Sequence, residues 1–294
     1  GYTEKTGIDL PGEAGSIYHA YSGMGPVELA CYSFGQSFKV TPLQQLTAIN
    51  AVANGGGLVT PYMVEKIVDA DGNVVYSHNA QVKCQIVSEE TASSISKVLE
   101  EGVSGNGGAR NTYVAGYKIA AKTGTSQILD VKNEYGEDYL RVGSTVAYAP
   151  ADAPQVSTIM VVDQPQCEQV YGSYVAAPYV ANLLSGVLPY IGVQINYTEE
   201  DLKRINVTLR DYVGLSAAEA AQDLHNRGIE YKVEGDGEKV TYQTPLGGST
   251  INKQTGKVTL YTGSTVAQKH VEVPNVVGNT AVQANLTIIN RGLN

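Results

Sequence analysis

The 294-residue sequence predicts an α+β fold in two parts: an antiparallel sheet flanked by helices, then small units in which one helix packs on a three-stranded sheet. Three observations predict it. Apolar runs at residues 144–149 and 155–163 flank a turn at 150–154 and follow a strand-like segment at 114–125, so sequential neighbours are set to pair antiparallel. Residues 41–53, 88–99 and 176–187 space their apolar side chains as helices do. Beyond Tyr197 the character changes, and a pattern recurs at a constant spacing of 64 residues.

The elements follow in order. Residues 41–53 carry Leu43, Leu46 and the apolar run from Ile49, with Pro42 in the first turn, where a missing N–H costs nothing; Gly55, Gly56 and Gly57 stop the helix. Residues 58–68 and 74–76 read as two strands around the turn Asp69-Ala70-Asp71-Gly72-Asn73. Ser88 can cap the next helix, whose positive end favours Glu89 and Glu90, and Ala92, Ile95, Val98 and Leu99 are its expected buried face. Residues 102–108 read as a flexible loop leading to the 114–125 strand. After the two further strands, Val180, Leu183, Leu184 and Val187 fall at i, i+3, i+4 and i+7 on a helix that Pro189 is expected to end.

Composition narrows the function. With 43% hydrophobic and 17% charged residues the chain is globular, and its length suits about two domains. A net charge of −9, with Lys and Arg scattered, excludes general nucleic-acid binding, which needs basic patches to displace counterions. Cys31, Cys84 and Cys167 are an odd number without close pairing, so they form neither a disulfide framework nor a zinc site and are expected to be core thiols. His19, His78, His225 and His270 are dispersed, and no motif calls for a metal or a cofactor. The 20 tyrosines are scattered and suit half-buried packing better than a sugar-stacking surface. No window approaches eighteen consecutive apolar residues.

The chemically suggestive stretch is Lys122-Thr123-Gly124-Thr125, at the end of a strand. Ahead of it, in order, stand T-G-I-D-L-P-G-E (6–13), S-F-G-Q (33–36), V-T-P-L-Q-Q-L (40–46) and N-G-G-G (54–57); after it comes Y-A-P-A-D-A-P (148–154). This ordered series, covering about residues 1–197, resembles the transpeptidase domain of class B penicillin-binding proteins of the sporulation or cell-division kind. The resemblance implies a peptidoglycan D,D-transpeptidase working through an acyl-serine. Its implied partners are stem peptides, lipid-linked precursors, β-lactams and division or sporulation proteins, on the extracytoplasmic face of a bacterial membrane. It also implies roles for the motif. Lys122 would place a positive charge near the substrate carboxylate, and the Thr123 and Thr125 hydroxyls would hydrogen-bond that carboxylate or the acyl carbonyl. Gly124 would leave room for a peptide lying against the strand, and the Thr125 N–H would be half of an oxyanion hole. Gln127 would offer its amide to the substrate backbone.

The family also needs a serine and lysine spaced S-x-x-K on a helix, and an S-x-N. Ser94-Ile95-Ser96-Lys97 and Ser104-Gly105-Asn106 have those spacings, but in the family both motifs precede T-G-I-D-L-P-G-E, so these matches are set aside. The chain opens at Gly1, without a methionine and inside the motif series. It is therefore expected to be the C-terminal part of a longer protein, inert by itself, with nucleophile and membrane anchor upstream.

After the charged link 198–205, residues 211–229 recur at 275–293: Gly214 with Gly278, Ala220 with Ala284, Arg227 with Arg291. In the first copy Ser216 and Glu219 have capping-box spacing, Ala220, Ala221 and Leu224 form an apolar stripe, and strand signals follow at 229–233, 239–243 and 257–261. With Gln243-Thr244-Pro245-Leu246-Gly247-Gly248, this is similar to a PASTA module. The expected organisation is a transpeptidase part at 1–197, a first PASTA domain at 206–264 and a truncated second at 270–294, unable to bury its stripe alone. A β-lactamase or D,D-carboxypeptidase also carries Lys-Thr-Gly, but the repeats and motif order disfavour both. The remaining alternative is a non-enzymatic wall-binding or divisome/sporulation scaffold whose transpeptidase part has decayed.

Overall fold

Prolines and caps set the first helices. In the computed structural model, which describes residues 2–128, 131–132, 136, 140–263, 272–279, 281–291 and 293, α1 (Pro26–Ser33) starts on Pro26, and Glu28 Oε2 accepts from Gly25 N at 2.9 Å. α2 (Pro42–Ala53) opens with a reciprocal box: Gln44 N donates to Thr41 Oγ1 at 3.1 Å, and Thr41 N to Gln44 Oε1 at 2.9 Å. Gln44 is buried, and its Nε2 is satisfied by the Glu4 carbonyl at 2.7 Å.

Four short strands follow, β1 (Gly57–Val59), β2 (Lys66–Val68), β3 (Val74–Ser77) and β4 (Val82–Gln85), with β1 paired to β4 and β2 to β3. The single strand expected over 58–68 is thus broken in two. Pro61 has no N–H to give a ladder, and the Met63 and Val64 N–H groups are taken by the two carboxylate oxygens of Asp9, at 2.8 and 2.9 Å. Glu13 acts likewise on its own turn, accepting from Thr6 N and Thr6 Oγ1 at 2.6 and 2.7 Å. The T-G-I-D-L-P-G-E segment is therefore a pair of carboxylate caps.

α3 (Glu89–Ser104) begins where Ser88 Oγ accepts from Thr91 N at 3.2 Å, and runs through residues 102–104, which the glycines had suggested were loop. Its buried line is Ala92 and Val103, with Ile95 and Leu99 half-buried; Val98, expected inside, is 67% exposed, because six residues on from Ala92 a helix has turned to its far side. The main sheet is β5 (Ala120–Gln127), β6 (Arg141–Ala149) and β7 (Val156–Asp163), antiparallel in the order β5-β6-β7. β5 starts six residues later than expected, since Gly116 at φ +80° and a Tyr117 N to Val114 O hydrogen bond at 3.2 Å make a turn of the preceding segment.

The turn α4 (Gly172–Val175) leads into α5 (Ala177–Tyr190), which carries Pro189 in its last turn instead of ending before it. The helix buries Val180, Leu184 and Leu188, while Leu183, expected on that face, is 45% exposed. These leucines pack on Ala121, Ala147 and Ala149 of the sheet with Ile119, Val103 and Val114, the small sheet residues letting the helix approach closely.

Residues Gly1–Asn196 form one compact unit and Tyr197–Asn294 another. In the second, the charged stretch forms α6 (Glu199–Ile205), with Thr198 Oγ1 accepting from Asp201 N at 3.1 Å, acids in the first turn and Lys203 and Arg204 in the last. After β8 (Asn206–Thr208) comes α7 (Ala217–Asn226), boxed by Ser216 and Glu219 and closed by Gly228 at φ +65°. The strands β9 (Glu230–Glu234), β10 (Val240–Thr244), β11 (Thr250–Asn252) and β12 (Lys257–Thr262) give a three-stranded sheet, β10-β12-β9, and a β8-β11 ribbon that periodicity missed. Tyr212, Leu224, Val240, Ile251 and Leu260 are fully buried in its core. In the second repeat copy, α8 (Ala281–Asn290) packs on β11, with Ile289 against that core. His270 and Gly292 lie outside the described residues.

The cysteines are not core thiols. Cys84 sits exposed on β4 and Cys167 exposed in a loop, its Sγ donating to Gln169 O at 3.3 Å; Cys31 is half-buried. β4 is the outer strand of a two-stranded ribbon, and all four of its residues are exposed.

Two outcomes follow. Leu184→Ala empties the centre of the first core and is expected to cost about 2–5 kcal/mol in a urea titration. Hydrogen bonds from Val64 and Met63 hold the Asp9 carboxyl below the ordinary aspartate range, and Thr6 lowers Glu13 in the same way. A depressed folded-state pKa stabilises above the unfolded value and is lost as pH falls through the folded one. The difference in Tm between wild type and Asp9→Ala should therefore be full at neutral pH and close below about pH 4.

Candidate active site

β5 lies at the sheet edge, with β6 on one side and no strand on the other among the described residues. Lys122 pairs with Val146, Gly124 with Ser144 and Thr125 with Gly143. Strand alternation puts Lys122 and Gly124 on one face and Thr123 and Thr125 on the other. Lys122 is exposed, and its Nζ donates to the Thr123 carbonyl oxygen at 2.7 Å. The Thr125 carbonyl accepts from Gln36 Nε2 at 3.3 Å. Both carbonyls thus take side-chain donors beside an open edge.

The Thr125 hydroxyl is held from the other direction. Gly172 N donates to Thr125 Oγ1 at 3.1 Å, and Thr145 Oγ1 donates to Gly172 O at 3.2 Å, so one residue of α4 ties β5 to β6. Because Oγ1 accepts from Gly172, the Thr125 hydroxyl proton remains available to an anion. The approach needs glycine. A methyl group on Gly172 would overlap the carbonyl oxygens of Gly124 and Ser144 and lie 2.8 Å from Ser144 N. Asn111 Nδ2, donating to Ser173 O at 2.7 Å, fixes the next residue. At Gly124, a Cβ would come within 2.7 Å of Ser144 Oγ, so the glycine also clears space for its cross-strand neighbour.

The structure therefore gathers Lys122, Thr123, Gly124 and Thr125 on one open edge, with Gln127 exposed at the strand's end opposite Arg141. It keeps the set-aside serines apart from them. Ser94 Oγ donates to Glu90 O at 2.9 Å on the exposed side of α3. Lys97 lines an open groove of about 340 Å³ with Glu100, Lys118 and Asp152, and none of Lys122 to Thr125 lines that groove. Ser104-Gly105-Asn106 closes α3, with Gly105 N bonded to Glu101 O at 2.9 Å. No group of three or more His, Cys, Asp or Glu among the described residues could hold a metal. Sequence reasoning missed Gly172, Thr145 and the part played by Gln36. Gln36 alone carried a signal, standing in the S-F-G-Q segment.

Two family models match the chain: the penicillin binding protein transpeptidase domain over residues 1–185 and the PASTA domain over residues 207–264. The chain belongs to the penicillin-binding-protein transpeptidase family. Stage V sporulation protein D of Bacillus subtilis is 36% identical over 269 residues, 89% of this chain and 40% of that protein. Peptidoglycan D,D-transpeptidase FtsI of Escherichia coli is 27% identical over 195 residues, 66% of this chain and 31% of that protein. Among solved structures, penicillin binding protein 3 of Mycobacterium tuberculosis, complexed with aztreonam, superposes with a TM-score of 0.56 at 25% identity, covering 66% of this chain and 45% of that one. This penicillin-binding-protein chain thus spans 40% or less of the length of both curated relatives.

Gly172→Ala is expected to destabilise the first unit by about 1–3 kcal/mol, since backbone cannot yield to the added methyl as a side chain could. Hydrogen exchange should accelerate first at the amides of β5 and β6.

Proposed function

We propose that the protein is a peptidoglycan D,D-transpeptidase and that residues 1–197 are the C-terminal part of its catalytic domain. The observation that carries this reading is the open edge of β5, where an exposed Lys122, a side-chain-free Gly124 and a fixed Thr125 hydroxyl stand in succession. A peptide ending in a carboxylate can add to that edge as a strand, with its carboxylate toward Lys122 Nζ and the Thr123 and Thr125 hydroxyls. Its scissile carbonyl would then face the Thr125 N–H, a donor aimed at charge that develops in the tetrahedral intermediate.

The attacking serine, with the lysine that takes its proton, is supplied by a part of the protein outside residues 1–294. Serine Oγ bonds to the penultimate D-Ala carbonyl carbon, the C–N bond breaks, and the terminal D-Ala leaves as an amine carrying the proton. An amine of a neighbouring stem peptide then attacks the ester and restores the serine. β-Lactams would acylate the same serine, and stem peptides would arrive on lipid-linked precursors. Gln127 would contact the peptide backbone beyond the scissile bond. The PASTA module at 206–264, with the second copy at 270–294, would hold the enzyme near the wall, and division or sporulation proteins would recruit it. No described helix is long and apolar enough to cross a membrane; the proposed extracytoplasmic location rests on an anchor in another part of the protein.

A fluorescent penicillin tests the reading. The protein encoded by the complete gene should be labelled at a serine outside this chain, while residues 1–294 alone stay dark. Lys122→Ala in the complete protein should slow labelling about 10- to 100-fold, the value of a charge-assisted hydrogen bond, without lowering its Tm. Labelling of Ser94, or an undiminished rate in the variant, would refute it.

A further inference from the structure

The S-F-G-Q segment has no part in the chemistry proposed so far, yet its glutamine reaches 89 residues along the chain to the motif strand. The loop between α1 and α2 that carries it is firmly shaped. Gln36 N donates to Cys31 O at 2.9 Å and Gly35 N to Tyr32 O at 3.1 Å, while Lys39 and Ile17 exchange two backbone hydrogen bonds at 2.8 Å. Gln36 stands between two left-handed residues, Gly35 at φ +86° and Ser37 at φ +69°. Ser37 is one of only two non-glycine residues with positive φ among the described residues. At a non-glycine residue such backbone persists where surroundings over-determine it, commonly at ligand clamps. Here it aims a half-buried carboxamide at the open edge of β5.

The acceptor it meets, Thr125 O, lies one residue past Gly124. A peptide adding to β5 must place an N–H against the carbonyls of that edge. In the unliganded protein the Gln36 amide already donates to this one, at 3.3 Å. We infer that Gln36 is a specificity-determining residue for the acyl donor: its Nε2–H occupies the acceptor that a ligand's amide N–H takes over on binding. A ligand with an amide N–H exchanges one hydrogen bond for another; a ligand without one leaves Gln36 where it is. The glutamine thereby keeps an open-edge carbonyl satisfied between turnovers and tempers the preference for amide-bearing donors. This rests on the transpeptidase reading of the β5 edge.

The test compares acylation rates of the complete protein by ampicillin, whose side chain is joined through an amide N–H, and by meropenem, which bears a hydroxyethyl group there. Gln36→Met keeps the length and removes the donor, so ampicillin gains an acceptor no longer occupied while meropenem gains nothing. The ampicillin-to-meropenem rate ratio should rise about fivefold, the worth of one ordinary hydrogen bond. Gln36→Glu, ionised and unable to donate, should shift the ratio the same way and decides the matter if the methionine variant does not fold. A ratio that stays constant or falls overturns the inference while the transpeptidase reading stands. A wild-type protein acylated by neither compound removes both.

Discussion

One close approach governs the first unit: the backbone of Gly172 against the backbones of Gly124 and Ser144. Contact between main chains, with no side chain between them, is what allows a single residue to bond Thr125 with its N–H and Thr145 with its carbonyl. It fixes how far α4, and α5 after it, stand from the sheet. The alanines at 121, 147 and 149 are the same requirement expressed in side chains, since only small residues let Val180, Leu184 and Leu188 come down on the strands. The motif strand owes its definition to what lies behind it.

Local signals in the sequence located most helices because caps and prolines act within a few residues. Thr41 with Gln44, Ser88 with Thr91 and Ser216 with Glu219 are interactions over three positions. Strand limits were harder, and particular residues explain why. The break after β1 is announced locally only by Pro61, while the carboxylate that takes the Met63 and Val64 N–H groups, Asp9, lies more than fifty residues away. The outward turn of Val98 and Leu183 shows that an apolar residue near a helical stripe is not thereby on it; the phase is set by the surface it meets.

The candidate site divides in the same way. Lys122 to Thr125 stood out as candidates because contiguous residue types suggest the chemistry. Gly172 and Thr145 were not, since a glycine that matters for the absence of a Cβ resembles any other among 32. In the second unit, α8 shows a related point: a repeat copy read in isolation lacks a core, yet Ile289 finds one against its neighbour. Burial of a stripe is a property of the pair of copies, not of either.

A sheet margin kept vacant for a guest is equally available to a second copy of itself, and strands left so tend to zip together into aggregates. Lys122 bears on that hazard too. Two such margins brought side by side would set ammonium near ammonium with little water between them. On the proposed reading, the charge that would welcome an anionic chain end is thus also a deterrent to self-association, and a neutral residue in its place would forfeit solubility along with recognition.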